Sequence, residues 1–206
     1  MLSGLSLGDI GIFIVTLLIS LGIHEAMHAF VAHELGDETA AEQGRLTLNP
    51  LKHVDLYMTI LLPIVMVLFG LPPILVAKPV PFDPDQVRFG EYGAALVALA
   101  GPLTNLALAV IGALAFRFGV ITGELVHPLG IFITLNITLF VFNMIPLPPL
   151  DGSRLLYAFA PEPLQRVMQQ IEAMGFLPLL LVLLFLSHFI SPILLNIQQA
   201  IFTFLV

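Results

Sequence analysis

His24-Glu25-Ala26-Met27-His28 sets two imidazoles four residues apart, with a carboxylate beside the first. On an α-helix, positions i and i+4 lie one turn apart on the same face, so His24 and His28 can aim at one point. The spacing H-E-x-x-H is that of two zinc ligands with a glutamate general base. Its surroundings sharpen the reading, because the flanking residues are almost all apolar. A carboxylate within hydrocarbon costs several kcal/mol, with estimates from about 3 kcal/mol upward. Apolar packing does not offset that cost, whereas a bound cation does. The competing explanation is a buried hydrogen-bonded network or the lining of a polar cavity. His33 and Glu34 close the same segment and are read as interfacial.

Two histidines leave a catalytic zinc site one protein ligand short, since such sites take three plus water. Cysteine is absent, so the third must be His, Asp or Glu. The best-placed candidate is Asp151 in FNMIPLPPLDGSR, residues 142–154. Pro146, Pro148 and Pro149 forbid regular helix there and hold the chain extended up to the aspartate. Asp151 could instead serve only as the cap of a helix starting near Ser153. His53, His127 and His188 are the competing ligands.

The elements that must position these groups are membrane helices. The 206 residues are 58% hydrophobic and only 10% charged, against roughly 25% charged in soluble domains. Mean hydropathy is +1.03. A span needs about 20 mostly apolar residues. Candidates fall at about 10–32, 56–77, 93–116, 127–142 and 175–189. The tail beyond 187 either extends the fifth span past Pro192 or forms a sixth. The expectation is an all-α polytopic protein of about five transmembrane helices, or six. A short extended piece, Leu46-Thr47-Leu48, is expected in the loop after the first, and an amphipathic helix over 162–174. Residues 1–206 read as one domain, with a core at about 10–175 and membrane-associated helices after it. The first apolar run, with no basic flank and no small-residue cleavage pattern, reads as retained structure rather than a signal peptide. Arg and Lys alternate almost evenly between the two sides, so orientation stays open. No basic patch exists despite a net charge of −7, which argues against nucleic acid as a partner.

Other polar residues are candidates for substrate binding or oxyanion stabilisation. Asn105 follows Gly101-Pro102 inside an apolar run and either faces the reacting carbonyl or pins two helices. Asn49 and His53 lie in the loop after the first span, which folds back as a substrate-side edge or is a solvated turn. Asn136 and Asn143 share a helix face, and Asn143 adjoins the proline run.

Four blocks together resemble the site-2 protease family of intramembrane zinc metalloproteases. They are HEAMHAF at 24–30, GRLTLNPLKHVD at 44–55, ALAGPLTN at 98–105 and FNMIPLPPLDGSR at 142–154, with KPVPF at 78–82 resembling the short form of the family. The resemblance implies His24, His28 and Asp151 as ligands of one zinc and Glu25 as general base. It also implies cleavage within or near a transmembrane segment of a membrane-protein substrate. It suggests the compact form of bacterial or archaeal plasma membranes, without a PDZ domain. Related short proteins carry a proline where this chain has Leu56. Oligomeric state and any partner protein are not specified. Two other classes compete. A transporter would show inverted halves with matching Gly/Pro breaks, and none is found. A structural metal protein would need four ligands and would leave Glu25 without a task.

Overall fold

The computed structural model describes residues 6–53 and 80–206. The expected second span, at 56–77, lies outside the described residues. Seven α-helices are described: α1 (Leu7–Glu34), α2 (Thr39–Glu42), α3 (Glu91–Arg117), α4 (Val126–Asn143), α5 (Asp151–Phe159), α6 (Glu162–Ala173) and α7 (Leu177–Leu205). Short 3-10 turns occupy Pro50–His53 and Gly123–Leu125.

Among the described residues, four helical segments are long and apolar enough to cross a membrane. They are α1, α3, Gly123–Asn143 and His188–Leu205. A fifth arises if α6 and Leu177–Leu186, which meet at 90°, count as one bent span. The chain is thus an all-α, multi-pass membrane protein. The tail forms no separate helix, because α7 runs unbroken through Pro192 to Leu205.

The burial pattern of α1 inverts that of a soluble helix. Thr16, Ser20, His24 and His28 recur every four residues and are all buried, while Phe13, Ile14, Val15 and Ile19 are exposed. In lipid this is the stable arrangement: apolar side chains need no covering, and polar ones must face protein partners. A capping box starts α1: Ser6 Oγ accepts from the Asp9 amide, and Asp9 accepts from the Ser6 amide. Its far end turns at Gly36, where φ is +108°.

α3 offers the complementary surface. Its buried face is built from Ala94, Ala98, Gly101, Asn105, Ala109 and Gly112, small residues that let neighbouring backbones approach closely. It packs against α1, α4 and α5. Ala109, Ala113, Leu129, Ile133, Ile137 and Val141 form the main apolar cluster, joined by Leu194, Ile201 and Phe202 of α7. A second cluster, Leu17, Leu21, Leu135 and Leu139, ties α1 to α4.

The expected extended piece at 46–48 is not a strand, and no strand occurs among the described residues. The loop's polar groups bond locally instead of to a partner strand. Thr47 Oγ1 accepts from the Asn49 amide, Asn49 Oδ1 accepts from the Leu51 amide, and His53 Nε2 donates to the Thr47 carbonyl. The loop still folds back on α1: a Cβ on Gly22 would lie 2.6 Å from Pro50 Cβ. The amphipathic helix appears as α6, with Met168 buried and Leu164 and Val167 exposed.

Candidate metal centre

Helix geometry alone brings His24 and His28 together on the buried face of α1. Their Nε2 atoms lie 3.0 Å apart. Asp151 reaches them from α5, with Oδ2 3.2 Å from His24 Nε2 and Oδ1 3.5 Å from His28 Nε2. Among the described residues this trio forms the one His/Asp/Glu group with ligand atoms close enough to share an ion. Asp151 is the first residue of α5, and Leu150 holds the cap position without a side-chain bond. The aspartate is therefore not spent on capping. Gly152 makes its placement feasible: a Cβ there would lie 2.4 Å from the Met144 carbonyl oxygen.

The donor set suits zinc. Two ligands about 2.0–2.1 Å from a tetrahedral zinc stand about 3.3 Å apart; here the two Nε2 atoms are 3.0 Å apart, and each has a different Asp151 oxygen near it, Oδ2 at 3.2 Å and Oδ1 at 3.5 Å. The other nitrogen of each imidazole also meets an oxygen. His24 Nδ1 lies 2.6 Å from Asn105 Oδ1, and His28 Nδ1 lies 2.7 Å from the Val97 carbonyl oxygen. With the protons on Nδ1, both Nε2 lone pairs point at one another and at a carboxylate. Asp151 Oδ2 is buried and accepts no hydrogen bond. Converging acceptors of this kind suit a cation: a proton relieves one pair, whereas a divalent metal would relieve all three.

α3 closes the site from behind. A Cβ on Gly101 would lie 2.4 Å from His28 Nε2 and 2.6 Å from both Nε2 and Cε1 of His24. Only glycine leaves this space clear. In front is a cavity of about 330 Å³. Glu25, Val80, Phe82, Asn143, Arg154 and Glu172 line it with the trio. Glu25 Oε2 accepts from the Val80 amide at 2.9 Å. Arg154 pairs with Glu172 and lies 5.8 Å from the Phe82 ring centroid.

The remaining candidates separate. Asn143 lines the cavity, half-buried, with Nδ2 donating to the Leu139 carbonyl. Asn105 is wholly buried, and its amide bonds His24 on α1 and Asn136 on α4. Asn49 is exposed in its turn, and His53 is buried against Thr47; neither lines the cavity. His127 pairs with Asp9 at the opposite end of α1, and His33 pairs with Glu38. Sequence reasoning did not find Gly101 as a wall of the site or the Val80 amide as a partner of Glu25. The small-residue stripe hinted at the first. The Pro79-Val80-Pro81 pattern, in which only Val80 has an amide hydrogen, was the available signal for the second.

The family model for peptidase family M50 matches residues 119–187. YwhC of Bacillus subtilis, named as a zinc metalloprotease, is 39% identical over 87% of this chain and 80% of its own length. Rip2 of Mycolicibacterium smegmatis, named likewise, is 31% identical over 86% of this chain and 70% of its own. MJ0611 of Methanocaldococcus jannaschii, also named as a zinc metalloprotease, is 44% identical over 29% of this chain and 31% of its own length. No solved structure gives a significant match. With a His/His/Asp trio buried among apolar membrane helices and relatives of this identity across nearly the whole chain, the protein belongs to peptidase family M50 and is a zinc metalloprotease of the membrane.

Proposed function

We propose that this chain is a zinc-dependent endopeptidase that hydrolyses a peptide bond within or next to a transmembrane segment of a membrane-protein substrate. One observation carries the reading: the convergence of His24 Nε2, His28 Nε2 and the Asp151 carboxylate between membrane helices, beside Glu25. Residues 1–206 act as one metalloprotease domain in the plasma membrane of a bacterium or archaeon. The bilayer is its solvent.

In this reading His24, His28 and Asp151 would hold one zinc per chain. When bound, zinc acidifies water and polarises a carbonyl. The chain's own residues do the rest. Glu25 takes the proton of the attacking water and delivers it to the leaving amine. The Val80 amide holds one carboxylate oxygen of Glu25, so the other is the one left to exchange protons. Asn143 lines the cavity next to the proline run, and its second amide hydrogen would donate to the substrate backbone. Asn105 is assigned a positioning task behind His24 rather than contact with substrate, because its amide is already bonded at both ends. Asn49 and His53 support the loop that packs on Gly22. A substrate helix hides its backbone in internal bonds, so it must unwind locally to reach the cavity.

The test is the metal content of purified protein, wild type against Asp151→Ala. About one zinc per chain, lost in the variant, supports the assignment. Zinc retained in the variant moves the third ligand elsewhere. A folded wild type that takes up no added zinc overturns the proposal.

A further inference from the structure

We propose that Asn105 and Asn136 form a one-way hydrogen-bond relay that sets the tautomer and ring orientation of His24. The relay readies Nε2 as a metal ligand, and in that respect the inference rests on the zinc reading above.

The direction is decided at the far end. On α4, Asn136 Nδ2 lies 2.9 Å from the Phe132 carbonyl oxygen and 3.0 Å from Ser20 Oγ on α1. An isolated side-chain amide can turn end for end. A carbonyl only accepts, so the end facing Phe132 must be the NH2 group. Asn136 Oδ1 then faces α3 and accepts from Asn105 Nδ2 at 3.0 Å. That leaves Asn105 Oδ1 turned towards His24, 2.6 Å from Nδ1. An oxygen acceptor there demands a proton on Nδ1, and a neutral imidazole protonated at Nδ1 keeps its lone pair on Nε2. Nε2 is the atom that meets His28 and Asp151.

Burial makes the sequence of bonds rigid. Ser20, Asn105 and Asn136 are each 0% exposed, so no solvent can replace a lost partner. His28 needs no such device, because its Nδ1 donates straight to the Val97 backbone carbonyl. A contact that merely pinned helices would work with both amides reversed. Here one end of the relay is a fixed acceptor and the other is a proposed ligand.

The experiment measures zinc affinity by competition with a chromophoric chelator, together with 15N-histidine NMR of the metal-free protein at alkaline pH. Asn105→Leu is expected to weaken zinc about 10–100-fold. Asn105→Asp keeps an acceptor opposite His24 but sets a carboxylate oxygen against Asn136 Oδ1, so it should recover part of that loss and hold His24 in the Nδ1–H form. Asn136→Leu touches no proposed ligand; it should give a smaller loss and a mixture of His24 tautomers in place of one Nδ1–H form. Unchanged affinity and tautomer in both leucine variants, with only a lower melting temperature, would overturn the relay. If Asn105→Leu does not fold, Asn105→Asp and Asn136→Leu carry the comparison. A wild type that binds no zinc would overturn the function proposed above and leave the relay to the tautomer spectrum. There, a single Nδ1–H form supports it and a mixture refutes it.

Discussion

The backbone amide of Val80 donates to Oε2 of Glu25 across 2.9 Å. Val80 stands between Pro79 and Pro81, neither of which has an amide hydrogen. Within Pro79-Val80-Pro81 the Val80 amide is thus the one backbone donor, and it is given to the proposed general base. Val80→Pro should remove that bond while leaving the metal trio untouched. The expected outcome is about a tenfold fall in kcat/KM, or about 1.4 kcal/mol of transition-state stabilisation, with zinc content unchanged. Val80→Ala keeps the amide and should behave close to wild type. Peptidase assays on a membrane-embedded substrate in detergent or vesicles would check both.

Glu25→Gln separates proton transfer from metal binding. The glutamine is nearly isosteric and can still meet the Val80 amide through its carbonyl oxygen. It cannot take a proton from water. Zinc content should stay near one per chain while turnover falls about 10²–10⁴-fold. Loss of metal along with turnover would make Glu25 a ligand and recast the site.

Gly101→Ala tests the fit of α3 against the trio. The new Cβ would lie 2.4–2.6 Å from the ligand nitrogens, closer than any non-bonded carbon can sit. Either α3 shifts or the imidazoles do. Overpacking of this kind costs about 1–3 kcal/mol of stability, and zinc affinity should drop by more than tenfold. The melting temperature and a chelator titration report the two effects. A variant with normal zinc affinity would mean that the histidines have room the structure does not give them.

Removing zinc should weaken the fold without dismantling it. A ligand that binds only the folded state stabilises it by about 2.7 kcal/mol at one hundred times its dissociation constant. The membrane helices hold their own backbone bonds regardless of metal. Excess chelator should therefore lower the melting temperature and leave the far-ultraviolet helix signal nearly intact. Collapse of the helix signal would assign the metal a structural role.

Much of this site is local in origin, which is why it is readable in the chain. The His24–His28 pair follows from helical periodicity alone. The membrane setting follows from composition, because so few charged residues cannot clothe a soluble surface. The amphipathic α6 follows from the spacing of Leu164, Val167, Met168 and Ile171. The extended piece expected at 46–48 forms no strand with any described residue, and the hydrogen bonds described in this loop are local. Of the alternatives for the tail, the structure shows extension: one helix continues through Pro192, as membrane helices tolerate.

The sequence by itself determined the ligand pair, the carboxylate beside it and the apolar helices around them, since each depends on residues a few positions apart. The sequence pointed to Asp151 as the distant carboxylate but left its capping role open; tertiary structure brought it to the two histidines at the first position of α5. It also set Asn105 between His24 and Asn136, and brought Gly101 and the Val80 amide to the site. These are contacts between residues separated by tens of positions. Their geometry is fixed only when α1, α3, α4 and α5 pack, because spacing along a chain carries no information about which helix faces meet.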